Sequence, residues 1–267
     1  LHEQGTIEAL ARGYLEALRA LLAEHHAQRA SRLPRVDLSL AELDRHVLEQ
    51  VLEQTPGLED LYPLSPVQEG MLFHARLSPG SGVYFEQLAW TFRGPVDMPR
   101  LQRAWRELVE RNAILRTTFL WESVPQPLQV VRAQVELEWA EHDWRGLEAA
   151  QQQARREALL DEDRARGFDL VRTPPSRVAM VRVAEGEWRC HWSFHHLLLD
   201  GWSVGLLFDE LFALYDALEQ GAPPPRERAP EYRGYIAWLK QQDLGEAESW
   251  WRRTLSGFTT TTPLPES

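Results

Sequence analysis

The stretch best equipped for chemistry is WRCHWSFHHLLLDGWS at 188–203. Two adjacent histidines, His195 and His196, are followed by Leu197, Leu198 and Leu199 and then by Asp200 and Gly201. An imidazole titrates near neutral pH, so it can hold or move a proton. A carboxylate a few residues on can fix the loop that presents it. The combination points to acyl transfer at an imidazole. In an extended strand, successive side chains face opposite ways. His196 then shares a face with Cys190, Trp192 and Phe194, and His195 with His191 and Ser193. One imidazole can face a reaction centre while the other is structural, and the pair cannot easily ligate one metal together. No further His or Cys sits at a typical ligand spacing, so no metal is expected. There is no G-x-S-x-G elbow, and Ser203 reads as a first-turn helix residue rather than a nucleophile. A histidine pair on its own is most often surface or satisfied core. The leucines, the Asp-Gly and the apolar helix beyond set this one apart.

The loop after the histidines reads as a strand-to-helix transition. Gly201 permits close backbone approach or an unusual dihedral. The helix N-terminus offers amide dipoles to a developing oxyanion. Asp200 either caps that helix or pairs with a buried arginine and locks the loop.

The elements that must position this loop are readable from periodicity. Residues 176–183 and 188–195 form an antiparallel pair around Glu185-Gly186, and a helix runs from Trp202 to Leu218. VYFEQLAWTF at 83–92 suits a strand. Asp97–Arg111 is helical, with Pro99 in its first turn and Leu101, Trp105, Leu108 and Val109 inward. Residues 114–121 and 127–131 read as strands across the Glu122–Gln126 turn. A charged helix covers 147–166, and two helical pieces cover 231–241 and 244–255. Pro63-Leu64-Ser65-Pro66 is a turn into a helix. Upstream, 7–22 is amphipathic with Thr6 as N-cap, 28–37 is a linker, and a helix opens at the capping box Ser39-Leu40-Ala41-Glu42 and runs to Gln54. Strands mixed with helices, few tight βαβ repeats and one hairpin give an α+β class.

Bulk composition narrows the function classes. The 267 residues carry a net charge of −11, which argues against a broad nucleic-acid surface. The single cysteine, Cys190, excludes an internal disulfide framework. No signal peptide or long apolar run is present, so no membrane association and a cytoplasmic setting are expected. A start at Leu1 reads as a piece of something longer.

Four ordered segments make the chain resemble a condensation domain of a non-ribosomal peptide synthetase. They are LSPVQEGMLFH at 64–74, RNAILRTTF at 111–119, HHLLLDG at 195–201 and YRGYIAWL at 232–239. The third matches the family's HHxxxDG signature, and FDLVRTPPSRVAMVR at 168–182 follows the pattern between motifs. PVQEGMLFH and DGWS resemble the subtype that takes a D-configured donor behind an epimerization domain. Two positions depart from the family: Asn112 stands where His is usual, and 174–177 read Pro-Pro-Ser-Arg where Pro-Leu-Leu-Arg is typical. Heterocyclization domains replace the HH motif with paired aspartates, and epimerization domains differ in the first motif.

The resemblance implies a chloramphenicol-acetyltransferase-like lobe, a mixed sheet flanked by helices. It is the first of two lobes with the active site at their junction. Residues 1–26 resemble the tail of an upstream domain, 27–59 a linker with one helix, 60–258 the N-terminal lobe, and 259–267 a connector toward a second lobe. It implies peptide bond formation between a carrier-bound peptidyl thioester and a carrier-bound aminoacyl acceptor, as in antibiotic and other secondary metabolism. The partners implied are upstream and downstream peptidyl carrier domains, an upstream epimerization domain and a downstream adenylation domain. No cofactor is bound by the domain itself; phosphopantetheine arms on the carriers deliver the substrates. His196 matches the catalytic position. His195, Asp200 and Gly201 match loop-shaping positions, and Arg116 the position that pairs with the motif Asp. This piece alone is expected to be inactive. A free α-amine has a pKa of about 8, so deprotonating it at pH 7 costs only about 1.4 kcal/mol. Proton transfer and positioning by His196 therefore both remain open. The other readings are a non-catalytic recruitment or docking module, and a coenzyme-A-dependent acyltransferase of the same superfamily.

Overall fold

The computed structural model describes residues 38–78, 80–225 and 229–260, together with 13 and 14. The amphipathic stretch 7–22 lies outside the described residues, apart from Gly13 and Tyr14, which are helical; the linker 28–37 and positions 261–267 also lie outside them. In chain order the elements are α1 (Arg45–Gln54), β1 (Leu58–Pro63), α2 (Pro66–Leu77), β2 (Phe85–Arg93), α3 (Met98–Arg111), β3 (Thr117–Leu120), β4 (Leu128–Arg132), β5 (Glu138–Asp143), α4 (Ala149–Arg166), β6 (Ser176–Ala184), β7 (Glu187–His195), α5 (Gly201–Gln220), α6 (Tyr232–Leu239) and α7 (Leu244–Thr254).

Two sheets result. The larger has the order β2-β7-β6-β5, with β2, β7 and β6 antiparallel and β5 parallel to β6. The smaller is antiparallel, in the order β1-β4-β3. Helices flank a mixed sheet and a smaller antiparallel one, which is the expected α+β lobe.

β7 organises the core because its two faces differ. Cys190, Trp192 and Phe194 join Met180 of β6, Leu101, Trp105 and Leu108 of α3, and Leu207, Leu211 and Leu214 of α5 in one apolar cluster. Each fully buried leucine there contributes roughly 1.5–3 kcal/mol. Trp105 and Trp192 meet edge to face at 5.2 Å, and the Trp192 indole N–H donates to Ser176 Oγ. The opposite face, toward α4, is polar but buried. There Asp163 of α4 accepts from Arg177, Ser193 and Gln87. Burial pushes the Asp163 carboxyl up, but Ser193 and Arg177 together hold it below the usual carboxylate range. A buried charge is tolerable only with such partners.

The local departures from expectation have physical causes. The helix expected from Ser39 starts at Arg45, because the Asp44 side chain accepts from the Val47 N–H at 2.9 Å and takes over the cap; residues 38–41 form a 3₁₀ turn instead. Residues 113–116 are likewise 3₁₀, and extended structure begins at Thr117. β1 and β5 were not expected. β7 ends at His195, so His196 leaves the strand alternation and sits in a turn closed by Leu198 N–H to His195 O at 2.9 Å.

Two imidazoles on β7 carry a pH signature. Burial lowers both to about 4, His191 with added repulsion from Arg156 and Arg189, His195 with a smaller push from His196. An unfolded imidazole takes up a proton near pH 6.5 that the folded ring refuses until about 4. Stability is therefore full above 6.5 and falls as pH drops toward 4. At pH 5 each ring should cost on the order of 2 kcal/mol. Chemical denaturation at pH 7 and pH 5 checks this, and equal stabilities would contradict it.

Candidate active site

The HHLLLDG segment is built from the core outward. Leu197, Leu198 and Leu199 are buried in the main apolar cluster, so the turn is anchored by its middle. Asp200 ends the turn as the N-cap of α5, its Oδ1 accepting from the Ser203 N–H at 2.8 Å and from the Ser203 hydroxyl at 2.7 Å. Those Ser203 bonds hold the Asp200 carboxyl below its ordinary range. Gly201 is the first residue of α5 with no positive φ, and no heavy atom lies within 4 Å of the place a Cβ would take. Neither the close approach nor the unusual dihedral expected of it is present.

The two histidines have separate surroundings. His195 is buried; its N–H donates to Pro175 O at 3.0 Å, and its Nδ1 accepts from the Leu197 N–H at 3.1 Å. The neutral ring therefore carries its proton on Nε2. His196 is half-buried, and its Nδ1 lies 2.6 Å from Leu199 O. A carbonyl oxygen only accepts, so Nδ1 carries the proton in the neutral ring and Nε2 keeps a free lone pair. Nε2 can take a proton from a nucleophile or accept its hydrogen bond.

Two residues that sequence reasoning missed hold this turn. Tyr84 O accepts the His196 N–H at 2.8 Å, and the Tyr84 ring lies 6.2 Å from the His195 ring and 6.4 Å from the His196 ring. Tyr84 adopts φ 63°, a left-handed backbone that bulky residues avoid. Such strain persists only where the surroundings enforce it, and it clusters at functional sites. Gln68 is the other. It closes a capping box with Ser65 at the start of α2 and donates from Nε2 to Leu197 O at 2.9 Å. It also exchanges 3.1 Å bonds with Gln129 of β4, which ties the motif turn to the smaller sheet. Only the Ser-Pro-x-Gln pattern at 65–68 carried a signal for it. Beside the motif, a cleft of about 520 Å³ opens between Val83, Phe85, Phe168, Trp121, Arg164 and His195.

Arg116 is not joined to Asp200, and the expected pairing is corrected. Arg116 forks on Glu59, with Nη1 to Oε2 at 2.6 Å and Nη2 to Oε1 at 3.1 Å, and also donates to Arg132 O. The 3₁₀ turn at 113–116 directs the side chain toward β1 and β4, while the Asp200 carboxylate is spent on the cap. The two positions that depart from the resemblance also make contacts. Asn112 caps α3 and donates to Glu210 at 2.8 Å, and Pro175 supplies the carbonyl for His195.

A sequence model described as Condensation domain matches residues 58–267.

The chain belongs to the condensation-domain family.

It is 43% identical over 264 residues to a linear gramicidin synthase polypeptide of Brevibacillus parabrevis, covering 99% of this chain and 5% of that protein. It is 32% identical over 265 residues to bacitracin synthase 3 of Bacillus licheniformis, covering 99% of this chain and 4% of that one. Among solved structures, the starter condensation domain of rhizomide synthetase RzmA superposes with a TM-score of 0.66 at 20% identity, over 78% of this chain and 51% of that one. The first condensation domain of the calcium-dependent antibiotic synthetase, in complex with a substrate analogue, gives 0.63 at 22% identity, over 73% and 48%. The chain thus spans about half of these solved domains and a small part of the synthases. The likeness to the solved domains carries the fold, with its mixed larger sheet and flanking helices.

The site geometry makes a stability prediction. In double-mutant cycles Arg116→Ala should couple to Glu59→Ala, while Arg116→Ala and Asp200→Ala should add to within about 0.5 kcal/mol. Asp200→Ala alone should cost about 1 kcal/mol as a lost cap. A large coupling between Arg116 and Asp200 in urea denaturation would restore the pairing.

Proposed function

We propose that this condensation domain forms a peptide bond between two carrier-bound substrates, with His196 at the reaction centre. The α-amine of the acceptor attacks the thioester carbonyl of the donor. A C–N bond forms, the C–S bond breaks, and the thiol leaves with the proton that the amine gives up. His196 Nε2 orients the amine by accepting its hydrogen bond, takes the proton late, as the C–N bond forms, and passes it to the leaving sulfur. The observation that carries this reading is the Leu199 carbonyl on His196 Nδ1, which leaves Nε2 as the acceptor.

The remaining parts follow from the same reading. His195, neutral and buried, holds the turn from beneath. Phosphopantetheine arms on upstream and downstream peptidyl carrier domains deliver the substrates. A second lobe completes the site. The apolar side chains exposed near the motif, Val67 and Phe73 on α2 and Trp202 and Leu206 on α5, support a covering partner there. The donor ends in a D-residue, supplied by an upstream epimerization domain, and an adenylation domain lies downstream. PVQEGMLFH and DGWS support that subtype.

The test is a condensation assay in the full-length synthetase with loaded donor and acceptor carriers. His196→Ala should lower the rate by about 10²–10⁴-fold with melting unchanged. Near-full activity would remove His196 from the reaction centre and favour a recruitment module. D-configured donors should outperform L-configured ones, and the reverse order would assign the other donor subtype.

A further inference from the structure

A second concentration of polar groups lies on β7 away from His196. His191 precedes His196 by five residues, roughly 17 Å along a strand. It faces α4, not the core that α3 and α5 cover. A groove of about 370 Å³ opens there, lined by Thr91, Gln153, Arg156, Arg189 and His191 among others, and no Asp or Glu lines it. That is unusual in a chain with 40 acidic and 29 basic residues.

The three charged or titratable groups of this groove are unsatisfied in the same direction. Arg156 and Arg189 are half-buried and form no ion pair among the described residues; Arg156 makes only a 3.5 Å contact with Gln153 Oε1. Three other shielded arginines are neutralised, Arg177 by Asp163, Arg116 by Glu59 and Arg111 by Glu210, while Arg132 donates to the Pro56 carbonyl. His191 is 4% exposed, and neither ring nitrogen has a partner. Buried polar groups are almost always paired, so the ring has capacity for a further partner. Burial first, then the charges of Arg156 and Arg189, push the His191 ring down to about 4, so it is neutral at pH 7. His191 also borders a small cavity of about 80 Å³ on the Asp163 side.

We propose that this groove is a phosphoryl-anion site. The Gln153 amide is already donated to Glu157 at 2.6 Å, but two guanidinium forks and the Thr91 hydroxyl, beside the His191 ring, outnumber the oxygens of a carboxylate, which a single fork saturates. They match the several oxygens and the higher charge of a phosphoryl group. The groove is open, so the group is either free phosphate or the phosphate of a monoester. The site does not depend on the role proposed for His196.

The experiment titrates the full chain at pH 7.5 and constant ionic strength with inorganic phosphate, glycerol 3-phosphate or acetate. It follows the His191 ring by ¹H–¹⁵N NMR and the heat by calorimetry. A saturable His191 shift with either phosphate probe and none with acetate is expected. Which phosphate probe binds identifies the source. Arg156→Gln and Arg189→Gln should each weaken binding by about tenfold, at an unchanged melting temperature. The proposal is overturned by an absent shift, by an equal response to acetate, or by binding that survives both substitutions.

Discussion

The hydrogen bond between His196 Nδ1 and the Leu199 carbonyl is the constraint on which the site depends. It is local, three residues apart, and it does two things at once. It fixes the ring orientation, and it decides which nitrogen is basic. The bond forms only while the turn from His195 to Asp200 keeps its shape. That shape is held from several directions: three leucines in the core, Tyr84 O on the His196 N–H, Gln68 on Leu197 O, and the Asp200 cap on α5. A reactive side chain on a loop gains its precision from such rigid support.

The same supports couple the two sheets. Tyr84, in the turn just before β2, meets the motif, and α2 carries Gln68, whose carboxamide also pairs with Gln129 in the smaller sheet. A disturbance of the small sheet thus reaches the turn through a single amide. On the far face of the large sheet, Asp163 gathers Arg177, Ser193 and Gln87. That polar layer is satisfied around Asp163 and unsatisfied around His191, two residues along β7 from Ser193. The contrast within one layer separates a structural network from a binding groove.

Much of this was legible in residue patterns. The β6–β7 hairpin and α3 follow from strict periodicity. The strand end at His195 matches the expected span, so alternation places His195 with His191 and Ser193, whereas His196 lies beyond it and owes its direction to the turn. β1 was hidden because LEDLYP buries Asp60 and ends in proline. β5 was hidden because it is an edge strand with mostly exposed side chains and no apolar alternation. The Arg116 partner was illegible for a different reason. Glu59 is fifty-seven residues away, and only the pairing of β1 with β4 brings it to the 3₁₀ turn. The strain at Tyr84 is a backbone property that no side-chain pattern reveals.

The most direct measurement is the tautomer of His196, read from long-range ¹H–¹⁵N correlations of the ring in the folded protein. A neutral ring protonated on Nδ1 is expected, with Nε2 free. A neutral ring protonated on Nε2 would break the bond to Leu199, remove the acceptor from the reaction centre and contradict the role assigned to His196.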